Sequence, residues 1–217
     1  SALRPFNGTE RFFSILPVFG ISCRSYLNKE GSALDSCMLR QQLTTLTNEA
    51  FHEKFQILFG SSQTAWQVLY PTLDLTHAFF IQREQTLCAL LGYCDQRGSY
   101  YHFSPQLLRP WLSKRQLQQT LHRLRYLQSA FVPNTLYIEA LAVAPAFRRQ
   151  GMAEKLLCHC RQYAIKQGYQ YLALDVASDN LPARTLYEKF GFVYQKYRQI
   201  PCEVFGFPRF DHLICPL

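Results

Sequence analysis

A run of apolar residues long enough to cross a membrane is missing from these 217 residues. The longest, Phe12 to Ser22, is short and is broken by Pro17. It follows Arg4 and Arg11 and ends at Cys23, the outline of a secretion signal, but it reads better as a strand entering the core. Cys-x-x-Cys pairs are missing too. The eight cysteines, at 23, 37, 88, 94, 158, 160, 202 and 215, are scattered, and a chain of this length does not depend on disulfides. They read as free thiols in a reducing cytoplasm. Cys158-His159-Cys160 sets its thiols too close together for a zinc knuckle and no second pair answers it, so no metal is expected. Internal repeats and low-complexity segments are absent. Charged residues reach only 18% against 48% hydrophobic, which excludes disorder of the whole chain. Acidic residues are scarce, 15 against 23 Lys and Arg, and the net charge of +8 favours an acidic partner. Nucleic acid, an anionic membrane surface and a phosphate-bearing cofactor all satisfy that balance. With 17 Phe and 13 Tyr, the core and any cleft should be rich in rings.

Patterning supplies the elements. Phe12–Val18 reads as a first strand. Leu39, Leu43, Leu46, Ala50 and Leu58 recur at helical spacing, predicting one amphipathic helix over Leu39–Phe59 that Gly60 closes, with a short helix over Thr64–Tyr70. His77–Gln82 and Thr86–Tyr93 read as antiparallel strands joined at Arg83-Glu84-Gln85. The segment from Asp95 to Pro133 reads as a helical insertion or lid, with Ser113 capping a helix whose Leu117, Leu121, Leu124 and Leu127 share a face.

Leu136–Val143 is an apolar strand interrupted only by Glu139. Ala144-Pro145-Ala146-Phe147 and Arg148-Arg149-Gln150-Gly151-Met152-Ala153 follow, and then an amphipathic helix ended by Gly168. A strand, a glycine-bearing loop and a helix start form an anion site, because the first backbone N–H groups are unpaired and the helix dipole favours negative charge there. Gly151 lets the backbone approach the anion, and Arg148 and Arg149 add charge, so the loop reads as a pyrophosphate cradle. Neither Gly-x-Gly-x-x-Gly near the first strand nor Gly-Lys-Ser/Thr occurs, which removes the dinucleotide and triphosphatase alternatives. Further on, Tyr171–Val176 reads as a strand. It leads to Asn180, Pro182 at a helix start, Ala183, Leu186, Tyr187 and Phe190, and closes on Gly191-Phe192.

Arg148-x-x-Gly151-x-Ala153 resembles the acetyl-CoA motif of the GNAT N-acetyltransferase superfamily, usually written Arg/Gln-x-x-Gly-x-Gly/Ala, and the second block resembles that family's second motif. The detailed resemblance covers about Leu136 to Tyr197. It implies an α/β fold of the α+β type: a single domain over residues 1–217 with a mixed, mostly antiparallel central sheet, splayed open and flanked by helices. It further implies that the backbones at Leu141, Ala142 and Val143 meet the pantetheine arm. The loop Arg148, Arg149, Gln150, Gly151, Met152 and Ala153 would hold the pyrophosphate. Asn180, Ala183 and Tyr187 would complete the cofactor site. Tyr187 reads either as the acid that protonates the leaving thiolate or as a core tyrosine. Glu139 reads either as the base that deprotonates the amine or as a strand-edge residue facing water. Strand alternation puts Glu139 with Leu141 and Val143, so the base reading needs a β-bulge, which this family carries in this strand. Asn180 fits a helix cap and a cofactor contact equally. His159 reads as a surface histidine, and Cys158 and Cys160 as packing residues.

The function expected is direct transfer of acetyl from acetyl-CoA to a primary amine of a small molecule or protein, with no metal. The excess of positive charge argues against a polyamine acceptor; a small amine held beneath the Asp95–Pro133 segment fits, as does a protein amine. The alternatives are a non-catalytic CoA-binding regulatory module and a basic nucleic-acid-binding protein using the helix at Ser113. The partners expected are acetyl-CoA and the amine, with a homodimer as candidate assembly and neither membrane nor nucleic acid.

Overall fold

The computed structural model describes residues 14–17, 26–27, 33–34, 36–127, 132–205 and 207–217. Strands β1 (Ser14–Pro17), β2 (Tyr26–Leu27) and β3 (Ala33–Leu34) precede three helices, α1 (Ser36–Ala50), α2 (His52–Phe59) and α3 (Ser62–Thr72). The remainder of Phe12–Ser22 lies outside the described residues. A hairpin of β4 (Ala78–Arg83) and β5 (Thr86–Asp95) follows, with β6 (Gly98–Ser99) folding back on β5. Helices α4 (Pro105–Leu108) and α5 (Lys114–Leu124) lead to β7 (Thr135–Val143) and α6 (Met152–Lys166). The chain closes with β8 (Tyr171–Ala177), α7 (Leu181–Phe190), β9 (Val193–Gln199), α8 (Cys202–Phe205) and β10 (Arg209–Pro216).

The helix expected over Leu39–Phe59 is two helices. Phe51, at φ −118° and ψ 30°, breaks the chain between them, and the αL turn at Gly60 (φ 89°) ends the second. Leucines 39, 43 and 46 of α1 and Phe55, Leu58 and Phe59 of α2 are nonetheless all buried, so the apolar pattern reports burial correctly and misses the break at Phe51. Ser113 caps α5 as expected, in a full capping box with Gln116.

Seven strands run in the order β1-β4-β5-β7-β8-β10-β9, with β6 attached to β5; β2 and β3 form a separate ribbon. The sheet is antiparallel except where β7 meets β8, the pair joined by the crossover through α6. One face packs against α1, α2, α3 and α5 through residues such as Leu43, Phe55, Leu69 and Ala142. The other packs against α6 and α7 through Ile138, Leu156, Leu157 and Leu172.

Two local features prepare the site. Opposite β7, β5 pairs Gly92 with Ala140 and Tyr93 with Ile138, so Glu139 is the extra residue of a bulge. The alternation shifts there: Leu136 and Ile138, then Leu141 and Val143, belong to the α6 face, while Ala140 and Ala142 belong to the opposite one. The bulge on which the base reading depends is therefore present. The second feature is the β5–β6 turn. Asp95, its side chain wholly buried, accepts from the amides of Arg97 (2.8 Å) and Gly98 (3.2 Å) and pairs with the Arg97 guanidinium at 2.9 Å. His77 closes on it from behind, 3.3 Å from Asp95 and 3.0 Å from Asp74. This pins the turn that carries Ser99.

Gly92 lies under the fully buried ring of Tyr100, whose hydroxyl is 2.7 Å from Thr47 Oγ1. A Cβ at Gly92 would overlap Cδ1 and Cγ of the Tyr100 ring. Gly92→Ala should therefore cost roughly 3 kcal/mol of stability through overpacking. Urea unfolding would show a lower midpoint with an unchanged slope; an unmoved midpoint would contradict this packing.

Candidate active site

Parallel pairing of β7 with β8 covers only Thr135–Ile138 against Tyr171–Leu174. Beyond it, β7 stays with β5 and β8 stays with β10, and the strands separate at Glu139. A cavity of about 660 Å³ opens at this split. Leu141, Asn180, Ala183, Tyr187 and Glu139 line it, together with Leu121 and Leu124 of α5. Five of the residues expected at the site from sequence are thus brought together. The rest are disposed differently. Ala142 is buried on the face opposite Leu141, Val143 is half-buried against the α6 face, and Met152 is buried in the core beneath α6.

Glu139 is surrounded by donors. Ser99 Oγ lies 2.8 and 2.9 Å from its two carboxylate oxygens, and the Tyr101 amide donates at 3.4 Å. Burial raises the Glu139 pKa above its ordinary value, against the lowering pull of these donors and of Lys54. Lys54 enters from α2 with its ammonium 4.5 Å from the Phe51 ring centroid, 4.8 Å from Phe55 and 5.2 Å from Tyr101. Burial lowers the Lys54 pKa to about 8, against the raising pull of Glu139. Further along the cleft, Asp175 is shared by His212 Nδ1 and the Arg198 guanidinium, each at 2.8 Å.

Tyr187 comes from α7 and is buried edge-on to Phe192, ring centroids 5.7 Å apart. Burial pushes its hydroxyl up to about 12, so it stays protonated at neutral pH. Asn180 is the N-cap of α7, its side chain accepting from the Ala183 amide at 3.2 Å, and it lines the cavity as well. Both of its readings are compatible with one position.

The loop from Arg148 to Gly151 reaches the start of α6 with its residues largely exposed. Arg149 (φ 61°) and Gly151 (φ 72°) both adopt the left-handed conformation, and for the arginine that costs about 1 kcal/mol. Gly151 is the N-cap of α6 and provides no side-chain cap, so the first amides of the helix are left to an external acceptor. Arg148 Nε donates to Val143 O at 3.2 Å and ties the loop to the strand. Arg83, at the end of β4, donates to Gln150 Oε1 at 3.0 Å and lies 5.7 Å from the Phe147 ring centroid. An uncapped helix start, a glycine and three arginines suit a pyrophosphate.

Lys54, Ser99, Tyr101, Asp175 and Arg83 were not singled out from sequence. Only Lys54 carries a readable signal: it lies three residues after Phe51 and four before Leu58, on the apolar stripe of its helix. The Cys158-His159-Cys160 triplet serves packing in part. Cys160 is buried, Cys158 is exposed, and His159 is half-buried against Phe79 with ring centroids 4.8 Å apart, so it is not a surface histidine. Its burial lowers its pKa.

Among the described residues no helix is long and apolar enough to cross a membrane. Residues 40–192 match the pattern of the Acetyltransferase (GNAT) family. A curated relative, "Uncharacterized N-acetyltransferase YsnE" of Bacillus subtilis (strain 168), is 39% identical over 59 residues. That match takes in 26% of this chain and 39% of the relative's length. An N-acetyltransferase from Staphylococcus aureus Mu50 shares the fold with a TM-score of 0.59 at 14% identity, over 82% of this chain and 96% of that one. An apo agmatine N-acetyltransferase mutant gives 0.55 at 16% identity, over 82% and 94%. With the family pattern spanning more than half of its length, the chain belongs to the GNAT acetyltransferase family.

Proposed function

We propose that this protein transfers acetyl from acetyl-CoA to a primary amine by direct attack on the thioester. The observation that carries the reading is the split between β7 and β8, with Glu139 where the strands part and the uncapped start of α6 following the end of β7 in the chain. Acetyl-CoA supplies the acyl group and a thiolate leaving group. The pantetheine arm would run along the edge of β7 that β8 no longer covers, at Leu141 and Val143. The pyrophosphate would take the amides from Arg149 to Ala153. Glu139 accepts the proton that makes the acceptor amine nucleophilic, and its raised pKa suits it to that task near neutral pH. The amine nitrogen bonds to the carbonyl carbon as the carbon–sulfur bond breaks. Backbone N–H groups near Val143 support the negative charge on the carbonyl oxygen. Tyr187 gives its phenolic proton to the departing sulfur and is reprotonated by way of solvent as the new amide nitrogen sheds its second proton. One net proton is released, through Glu139.

Release of free CoA thiol in the presence of acetyl-CoA and an amine panel tests the activity. Tyr187→Phe keeps the ring packed on Phe192 and removes only the donor. Turnover should fall about 10- to 100-fold while the affinity for CoA stays within about twofold. Equal loss of both would give Tyr187 a structural role. Tight CoA binding with no turnover on any amine would make the protein a CoA-binding module instead.

A further inference from the structure

We propose that the acceptor is a zwitterionic amino acid with a large apolar side chain, whose ammonium meets Glu139 and whose carboxylate meets Lys54. This rests on the acetyl-transfer reading above and adds the identity of the substrate class.

The first argument is the charge pairing inside the cleft. Two carboxylates and the Lys54 ammonium line it. Asp175 is paired with Arg198 and His212, and Glu139 accepts from Ser99 and the Tyr101 amide. A polycationic acceptor would bring two or more positive charges into a cavity that already holds the Lys54 ammonium. A simple monoamine does better, but it adds a cation to the same cavity and brings no charge to answer Lys54. A zwitterion answers both groups: ammonium on Glu139, carboxylate on Lys54.

The second argument is the aromatic box. Rings that face a cation within about 6 Å can recognise an ammonium ligand. Here Phe51, Phe55 and Tyr101 are occupied by the protein's own Lys54, so they are not open to a cationic acceptor. They hold the ammonium of Lys54 in place, as a fixed receptor for an anionic group. Lys54 is drawn towards the neutral form by burial and towards the charged form by Glu139, so a substrate carboxylate would take over the support that Glu139 gives.

The third argument is the remaining wall. The cavity is also lined by Phe103, Leu121, Leu124 and Phe207, whose side chains offer surface to an apolar group and no hydrogen bonds. Glycine or alanine would leave that wall unfilled.

The test compares kcat/KM at saturating acetyl-CoA for L-phenylalanine, phenethylamine, glycine and spermidine, followed by CoA thiol release. The parent should prefer phenylalanine to phenethylamine, which lacks only the carboxylate, by at least tenfold, and should prefer it to glycine by a similar margin. Lys54→Met fits the apolar stripe of α2 and removes the charge, and it should lower the phenylalanine-to-phenethylamine ratio tenfold or more. Phenethylamine or spermidine used as well as phenylalanine would overturn the substrate class while leaving acetyl transfer intact. An unchanged ratio in Lys54→Met would overturn the role of Lys54. No turnover with any amine would overturn the acetyl-transfer reading and this one with it. The parent's own ratios decide the substrate class even if the variant fails to fold.

Discussion

Gly151→Glu should abolish binding of acetyl-CoA. Three effects act in the same direction. Gly151 sits at φ 72°, where any side chain is strained by about 1 kcal/mol. A glutamate there would add a carboxylate at the N-terminus of α6, where the pyrophosphate is assigned, and like charges brought together in this way cost several kcal/mol. Glu154 is already close, its Oε2 3.5 Å from the position of a Gly151 Cβ, so the new carboxylate would also crowd an existing one. Several kcal/mol corresponds to a loss of more than about 100-fold in Kd, which calorimetry would read as no detectable heat. Gly151→Ala carries the strain without the charge and should bind only modestly more weakly. If Gly151→Glu bound CoA as tightly as the parent, the loop would not be the phosphate site.

Glu139→Gln should lower kcat/KM about 100- to 1000-fold, within the usual range for loss of a general base. The pH profile is the sharper readout. A carboxylate works as a base only above its pKa, and burial raises that of Glu139, so activity in the parent should climb with pH through this raised value and then level off. In the Gln variant that acidic limb should disappear. The sign for stability is opposite to that of a salt-bridged carboxylate. Because the folded pKa is raised, ionisation of Glu139 opposes folding as the pH rises through it, so stability associated with the group is greatest in acid and lost towards neutrality. The Gln variant, which carries no charge to bury, should therefore melt close to the parent in acid and no lower than the parent at pH 7, which separates loss of chemistry from loss of fold. An unchanged pH profile would hand the proton to water or to another residue.

The part of the candidate site assigned to the cofactor was legible because its elements are local in sequence. Strand, loop and helix run continuously from Leu136 to Ala164, and Asn180, Tyr187 and Gly191-Phe192 fall within a few turns of one another. Apart from Glu139, the part assigned to the acceptor was not, because it assembles only in three dimensions. Lys54, Ser99, Tyr101 and Glu139 come from α2, β6, the segment after it and β7, and their relation depends on a pinned turn that no local pattern encodes. Periodicity failed in a related way at Phe51. Both helices bury apolar side chains at helical spacing, and that spacing carries no information about a single non-helical residue between them. His159 escaped for the same reason, since its neighbour Phe79 lies on β4, eighty positions away.

The bulge in β7 has a bearing on heredity. Glu139 is the supernumerary residue: with it left out, Leu136, Tyr137, Ile138, Ala140, Leu141 and Ala142 would alternate between the two faces without interruption. It carries no strand pair of its own, and its bonds run instead to Ser99 and the Tyr101 amide. On the proposed reading, architecture and chemistry are thus written at separate positions of the same strand. A lineage could shed the carboxylate by losing one codon and retain each remaining strand pair, leaving a fold able to persist after the proposed reaction had gone.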